Sequence, residues 1–283
     1  MIIGTTEQGL KYAVRRSGNA VGYCSLTIKC GTRDEGDFHS GIAHFTEHTI
    51  FKGTEHKSSR VISGYLDKLG GELNAFTTKE EIVIHSTVLK EDLGKAASLL
   101  LELATCPTFP EEEISVEKGV VIDEIKSYKD SPADDVYDQF EENLFTGHPL
   151  GRSILGTPAS VRKITGKELK KFTEERFIPE NMALTIVADI DERKLEENVR
   201  KLVGKFFGGS NAAVYERAVQ PIRLPQPFNR MVEKRNHEVN AVLGNFAPSL
   251  YDSEGRFASI LLSNIFGGPA SNSLLNSLLR ERN

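Results

Sequence analysis

The sequence predicts an α+β protein in which an antiparallel or mixed sheet is flanked by helices. Short segments rich in β-branched and apolar residues, such as 21–30 and 181–188, predict strands that are buried on at least one face. Segments such as 91–104 have the apolar spacing of amphipathic helices. The strand–strand–helix order at the start of the chain returns after residue 228, so we expect two related halves, the second of them incomplete.

The expected elements can be followed along the chain. Residues 9–16 and 21–30 predict two strands, and a helix is expected to begin near Gly41 with Ser40 as its N-cap. A helix within 58–71, two strands within 72–89 joined near Lys79, and a helix over 91–104 are expected next. A long helix is expected to begin at Pro110 and to be interrupted by Pro132, and another helix follows Thr157. The last expected elements of this part are a helix that Thr165 and Glu168 open with a capping box, a strand over 181–188 and a helix that Asp191 caps.

The domain organisation is predicted from one change in composition. Residues 208–227 contain Gly, Ser, Asn and three prolines without a sustained hydrophobic period, which is typical of a linker, and we place the linker itself at 210–227. We therefore expect an N-terminal domain over 1–209 and the start of a second, homologous domain over 228–283. Within the second domain, 230–236 and 238–247 predict strands.

The bulk composition argues against several classes of protein. The net charge of −5 is unfavourable for a nucleic-acid-binding protein. No apolar run approaches the ~20 residues of a membrane-spanning helix, and no signal peptide is visible at the N-terminus. The three cysteines lack paired spacing and predict no disulfide framework. We therefore expect a cytoplasmic protein that binds neither nucleic acid nor membrane.

The segment from His44 to His48, with the sequence His-Phe-Thr-Glu-His, carries the candidate chemistry. Residues four apart lie on one face of a helix, so His44 and His48 can reach one metal ion while Glu47 projects towards the same side. Two imidazoles and a nearby carboxylate suit Zn²⁺, with Glu47 as general base. This order, the reverse of His-Glu-x-x-His, is the inverzincin signature. The alternative is a solvated helix face that carries two histidines by chance.

A catalytic zinc site also needs a third protein ligand from elsewhere in the chain. Glu117 and Glu124 are seven residues apart and therefore lie about two turns apart on one face of the predicted long helix. One of them could bind the metal while the other orients a ligand. Both could equally belong to a solvated face, and spacing alone does not choose between these alternatives.

Four segments in this order, HFTEHTIFKGT, LGGELNAFTTKEE, VEKGVVIDEI and HPLGRSILGT, resemble the pitrilysin family of zinc metallopeptidases. They are most similar to the branch that contains mitochondrial processing peptidase and its bacterial relatives. The resemblance covers nearly all of residues 1–210 and, more weakly, the remainder. It implies a zinc-binding catalytic domain in which Zn²⁺ is bound by His44, His48 and Glu124, with Glu47 as the general base and Glu117 in support.

The resemblance also implies a substrate and partners. The segment Asn74-Ala75-Phe76-Thr77 is expected to form an edge strand beside the zinc, to which a peptide substrate adds as a further strand. The family closes its cleft with a second, related half, so this chain resembles a truncated form that pairs with such a half or forms a homodimer. The implied activity is that of an endopeptidase acting on unfolded peptides. A non-catalytic scaffold or substrate-recognition subunit of the same family, and a zinc hydrolase of small molecules, are the alternatives.

Overall fold

The computed structural model describes residues 1–208, 221–222, 226–234 and 237–281. The chain divides into two compact units, Met1–Asn240 and Ala241–Asn283. The strands are β1 (Ile2–Thr5), β2 (Lys11–Arg16), β3 (Val21–Ile28), β4 (Glu72–Thr77), β5 (Ile82–Leu89) and β6 (Met182–Ala188). The helices are α1 (Ile42–Ile50), α2 (Ser59–Asp67), α3 (Leu93–Thr105), α4 (Glu111–Asp130), α5 (Pro132–Leu144), α6 (Pro158–Lys163), α7 (Gly166–Arg176), α8 (Glu192–Phe207), α9 (Ser253–Gly267) and α10 (Leu274–Asn276).

The first unit contains one mixed sheet with the strand order β1-β2-β6-β3-β5-β4. The central strand β3 is antiparallel to both β5 and β6, whereas β2 and β6 are parallel. In β3 the side chains of Cys24, Leu26 and Ile28 are buried and alternate with more exposed neighbours, as the two-residue period of a strand requires. The predicted α+β class with a mixed sheet is thus confirmed.

The strand β4 lies at one edge of this sheet. Among the described strands it pairs only with β5, in an antiparallel register that places Asn74 opposite His85. Its burial alternates between exposed and half-buried residues. The backbone groups on the outer side of an edge strand are available to another extended chain.

Helix α1 joins the hydrophobic core to the candidate site. Ile42, Phe45 and Ile50 are fully buried, and the helix contacts β4, β5 and α4. The chain enters α1 through Gly41 at φ +90°, where an added Cβ would lie 2.7 Å from the carbonyl oxygen of Leu155. Only glycine tolerates this combination of conformation and close contact. The prediction that Ser40 is the N-cap is therefore wrong, because the left-handed Gly41 occupies that position.

Helix α4 has one face directed at the core. Ile114, Glu117, Val121 and Ile125 are buried and follow the three- and four-residue spacing of a single helix face. The side chain of Glu117, which is 5% exposed, is consequently directed into the interior from the same helix face as these apolar residues. The helix ends before Pro132, as predicted.

Beyond α8 the sequence predictions have mixed outcomes. The predicted linker, 210–227, lies mostly outside the described residues, and the domain boundaries stay predictions. The described parts of 230–236 and 238–247 form no strand, so the strand predictions there are wrong. A strand is stabilised by ladder hydrogen bonds, and the described residues of these segments take part in none. None of the described helices is both long and apolar enough to cross a lipid bilayer.

Candidate metal centre

Helices α1 and α4 bring together the three residues expected to bind a metal ion. The Nε2 atoms of His44 and His48 lie 3.8 Å and 3.5 Å from Oε2 of Glu124. One donor atom from each residue lies within 4.8 Å of the other two. Donors that share a tetrahedral zinc ion at ~2.0–2.2 Å are about 3.4 Å from one another. The spacing and the donor types therefore fit Zn²⁺ with only small side-chain movements.

His44 is held in its neutral form by its surroundings. Burial, together with the neighbouring His48, lowers the pKa of His44 to about 3. The imidazole is therefore neutral at pH 7, which is the form that binds a metal. Its Nδ1 atom is buried and, among the described residues, has no hydrogen-bond partner. The orientation of this ring is set by packing, including an edge-to-face contact with His48 at 4.7 Å between centroids.

His48 is oriented by a hydrogen-bonded chain of side chains. Its Nδ1 lies 3.1 Å from Oε2 of Glu117, and Oε1 of Glu117 lies 2.6 Å from the ammonium nitrogen of Lys52. A ring that donates its Nδ1–H to a carboxylate presents the lone pair of Nε2 on the other side. Sequence reasoning identified Glu117 but missed Lys52. The available signal was spacing, because Lys52 follows His48 by four residues and so projects from the same side.

Glu47 lies next to the three donors and is held by the edge strand. Its Oε2 accepts a 2.6 Å hydrogen bond from the hydroxyl of Thr77 at the end of β4. Burial raises the pKa of the Glu47 carboxyl; the hydrogen bond from Thr77 and the nearby His48 oppose this shift, and the charge of Glu124 adds to it. A carboxyl group with a raised pKa is better matched to proton transfer near neutral pH.

The four residues expected to bind substrate lie together on β4. The side-chain oxygen of Asn74 accepts a 2.8 Å hydrogen bond from the backbone N–H of Ala75, so this N–H points away from β5. Because N–H groups alternate along a strand, the N–H of Thr77 points to the same outer side. Phe76 is 46% exposed and its ring lies 6.1 Å from that of His85. The outer edge of β4 therefore presents backbone donors beside Glu47.

A buried carboxyl group, Glu35, holds the N-terminal end of α1 and was not predicted from the sequence. Its Oε1 accepts hydrogen bonds from the backbone N–H groups of Gly41 at 2.9 Å and Ala43 at 3.3 Å. Burial raises the pKa of Glu35 to about 8, against the opposing effects of the Ala43 and Gly41 hydrogen bonds and of Arg152 and Lys79. No sequence pattern indicates this contact, since Glu35 reaches the helix from the preceding loop.

A cavity of about 710 Å³ lies beside α4, between that helix, α5 and the segment 145–157. Ile125, the residue after Glu124, is part of its wall. Its acidic lining residues are Asp134, Asp135, Asp138 and Glu142. These carboxylates outnumber the basic lining side chains of Lys129 and Arg152, and Lys234 pairs with Asp135, so the cavity keeps a small excess of acidic groups.

The fold and the convergence of His44, His48 and Glu124 define an α+β protein with a candidate metal centre, and comparison with family models gives the family. The model described as "Insulinase (Peptidase family M16)" matches residues 12–158, more than half of the chain. The model described as "Peptidase M16 inactive domain" matches residues 163–283. The chain belongs to peptidase family M16, which confirms the resemblance to the insulinase and pitrilysin group.

Several relatives are named as zinc proteases. An uncharacterised zinc protease of Rickettsia bellii (strain RML369-C) is 31% identical over 258 residues, which are 91% of this chain and 61% of the relative. The uncharacterised zinc protease YmxG of Bacillus subtilis (strain 168) is 31% identical over 258 residues, which are 90% of this chain and 61% of the relative. The chain thus spans about 61% of the length of these two relatives.

Solved structures show the same fold. A protease from Helicobacter pylori has a TM-score of 0.80 and 24% identity, with 98% of this chain and 67% of that chain covered. The peptidase M16 inactive domain from Pseudomonas fluorescens has a TM-score of 0.81 and 19% identity, with 99% of this chain and 68% of that chain covered. At these identities the likeness establishes the fold alone.

Removing the ammonium group of Lys52 is expected to weaken metal binding. In the variant Lys52→Met, the carboxylate of Glu117 keeps His48 as a partner but loses the contact that fixes its other oxygen. We expect zinc affinity to fall by about 10- to 100-fold, the usual effect of removing such a supporting contact. Zinc affinity is measured by competition with a chromophoric chelator, and Lys52→Arg should restore most of it.

Lys57 provides a matched control for this test. It forms an ion pair with Glu102, whose side chain is 6% exposed, and neither residue contacts His44 or His48. Lys57→Met should lower the free energy of unfolding and leave the zinc affinity of the site formed by His44, His48 and Glu124 unchanged. Equal zinc affinity in Lys52→Met and the parent protein would show that Lys52 does not orient the cluster.

The buried carboxyl of Glu35 predicts a specific dependence of stability on pH. The folded protein holds this proton up to about pH 8, whereas the unfolded chain releases it near pH 4.5. Between these values the folded state binds more protons, so this group makes the protein less stable as pH rises. Glu35→Gln keeps a neutral acceptor and removes this dependence. Its unfolding free energy relative to the parent should rise from pH 5 to 9 by on the order of 3 kcal/mol.

A carboxyl group with the opposite shift serves as the control for Glu35. Burial acts to raise the pKa of Glu102, but hydrogen bonds from Lys57 and Thr54 outweigh burial and lower it. Glu102 therefore contributes stability above its unfolded pKa, and this contribution is lost as pH falls. The free energy of unfolding of Glu102→Gln, relative to that of the parent protein, should fall as pH rises through the acidic range. Denaturant unfolding curves of both variants across pH measure the two trends, and parallel trends would contradict the assignment.

Proposed function

We propose that this chain forms the zinc-binding part of an endopeptidase that hydrolyses unfolded peptides. His44, His48 and Glu124 are the proposed ligands of Zn²⁺, and Glu47 is the proposed general base. The observation that carries the proposal is the convergence of the two Nε2 atoms on Oε2 of Glu124, with the Glu47 carboxyl alongside. The zinc protease names of the relatives support the same conclusion.

The proposed chemistry divides between the ion and the side chains. The contribution of Zn²⁺ in a site of this kind is Lewis acidity, which acidifies water and polarises a peptide carbonyl. Glu47 Oε2 is engaged by Thr77, so Oε1 is the oxygen that takes the proton of the attacking water. Glu47 then gives this proton to the departing amine. Glu117 and Lys52 keep the Nε2 lone pair of His48 directed at the ion.

The edge strand β4 is the proposed docking site for the substrate. An extended peptide that pairs with β4 would receive hydrogen bonds from the outward N–H groups of Ala75 and Thr77. In this arrangement the side chain of Asn74 must release the Ala75 N–H when the peptide binds. The backbone of Thr77 would contact the substrate, while its hydroxyl group donates a hydrogen bond to Glu47. Strand pairing would therefore also place the peptide bond near the base.

We further propose that the cleft is completed by a second, homologous half. The chain spans about 61% of its zinc protease relatives. Pairing with such a half, or with a second copy of the chain, would cover the peptide held on β4. A non-catalytic subunit is the alternative, and it predicts binding of peptides without their cleavage.

The role of Glu47 is tested by replacing its carboxylate with an amide. Glu47→Gln keeps size and the hydrogen bond from Thr77 but cannot carry the proton of the attacking water. Cleavage of an internally quenched peptide should fall by at least about 10²- to 10⁴-fold while zinc content stays the same. Glu112→Gln, at an exposed position in the first turn of α4, is the control.

Two results would contradict this assignment. Full cleavage by Glu47→Gln would remove Glu47 from the role of general base. A parent protein that binds one equivalent of zinc and peptides, yet cleaves none, would instead favour a non-catalytic subunit.

Docking by strand addition predicts a period of two along the substrate. Peptides that carry a single backbone N-methyl group at successive positions lose one donor each. Positions whose N–H faces β4 should show a KM raised about 2- to 10-fold, the effect of one hydrogen bond, and intervening positions should show none. The intervening positions are the internal control. Equal effects at neighbouring positions would show that the peptide does not pair with β4 as a strand.

A further inference from the structure

A second group of metal-binding side chains lies apart from the candidate metal centre. Glu55, His56 and Cys106 each offer one donor atom, and the three atoms lie within 4.8 Å of one another. None of these residues belongs to the cluster of His44, His48 and Glu124. Glu55 and His56 are exposed, and Cys106 is half-buried, so an ion can reach all three from solvent.

Backbone hydrogen bonds hold together the two segments that carry these donors. Residues 53–58, which we call the 53–58 loop, run from α1 towards α2 and pair with the segment that follows α3. The N–H of Glu55 donates to the carbonyl of Cys106 at 3.0 Å, and Thr54 forms an isolated β-bridge with Pro107. The N–H of Thr108 donates to the carbonyl of Gly53 at 3.0 Å. These contacts hold Glu55 and Cys106 next to each other without help from their side chains.

A buried ion pair with Glu102 of α3 also holds the 53–58 loop in place. The hydroxyl of Thr54 donates to Oε1 of Glu102 at 2.6 Å, and the ammonium group of Lys57 lies 2.5 Å from Oε2 of Glu102. Lys57 is therefore occupied by Glu102. In the described part of the chain, neither the Glu55 carboxylate nor the His56 ring forms a hydrogen bond or an ion pair.

The donor types select the class of ion. A thiolate, an imidazole and a carboxylate form a mixed S, N, O set that suits Zn²⁺ and similar borderline transition metals, and not Mg²⁺ or Ca²⁺. Their combined charge of about −2, with a neutral imidazole, balances a divalent cation. Cys106 differs in this respect from Cys24 and Cys30, which are buried in the core.

We propose that Glu55, His56 and Cys106 form an accessory site for a divalent transition metal such as Zn²⁺, separate from the metal centre of α1 and α4. Three protein ligands leave the fourth tetrahedral position to water. The bound ion ties the 53–58 loop to the end of α3, and so stabilises the folded chain by an amount that grows with the logarithm of the free ion concentration above the Kd.

Cobalt separates the two sites because only one of them contains sulfur. Co²⁺ replaces Zn²⁺ in such sites, and a thiolate ligand adds a near-ultraviolet charge-transfer absorption that nitrogen and oxygen ligands do not give. Metal-free protein is titrated with Co²⁺ under reducing conditions. As Co²⁺ is added, the thiolate absorption should rise until one equivalent is bound at this site. The absorption should be absent in Cys106→Ser.

Three further variants complete the test. His56→Gln and Glu55→Gln should each weaken the Co²⁺ affinity read from this absorption by more than about tenfold. His48→Gln should leave the absorption unchanged and remove one equivalent of bound zinc. The far-ultraviolet circular dichroism of each variant verifies that it is folded.

The outcomes distinguish this site from the proposed function. The accessory site is overturned if the parent protein shows no thiolate absorption, if Cys106→Ser keeps it, or if His56→Gln binds Co²⁺ as tightly as the parent. Unchanged zinc content in His48→Gln, together with loss of the absorption in Cys106→Ser, would reject the metal centre and retain the accessory site.

Discussion

The packing of α1 against both the core and α4 is the constraint on which the candidate site depends. Ile42, Phe45 and Ile50 fix one side of the helix in the core, and this leaves His44 and His48 directed at α4. A slip of α1 by one residue would rotate its side chains by about 100° and shift them by about 1.5 Å. Such a slip would bury polar side chains and carry both imidazoles away from Glu124. Core packing and donor geometry are thus specified by the same residues.

A helix as short as α1 also needs support at its ends. It has nine residues, fewer than the ~12–15 at which an isolated helix becomes even marginally stable in water. Glu35 accepts hydrogen bonds from the first N–H groups, which would otherwise be buried without partners. Beyond the other end, Lys52 contacts Glu117 of α4. Both supports come from carboxyl groups outside the helix, so the orientation of α1 is a property of the tertiary structure.

Features that depend on neighbouring residues in the sequence were predicted correctly more often than features that depend on distant segments. The hairpin within 72–89, the interruption at Pro132 and the cap at Asp191 depend on neighbouring residues, and each agrees with the structure. The face shared by His44 and His48 is equally local. The choice of Glu124 needed the family resemblance, because the approach of α4 to α1 is set by packing between distant segments. Glu35 was missed for the same reason. Glu168 shows a further limit: its N–H bonds to Thr165 as predicted, but its carboxylate binds His39 instead of completing the capping box.

The exposed edge of β4 has a consequence for the behaviour of the protein in solution. The outer side of this six-residue strand pairs with no other described strand, and Phe76 on it is 46% exposed, so the strand can template the addition of an extended segment, including one from another copy of the chain. The charged Glu72 and the short length of the strand limit this self-association without removing it. Concentrated samples are therefore expected to be more prone to aggregate when the edge is bare than when an extended ligand occupies it.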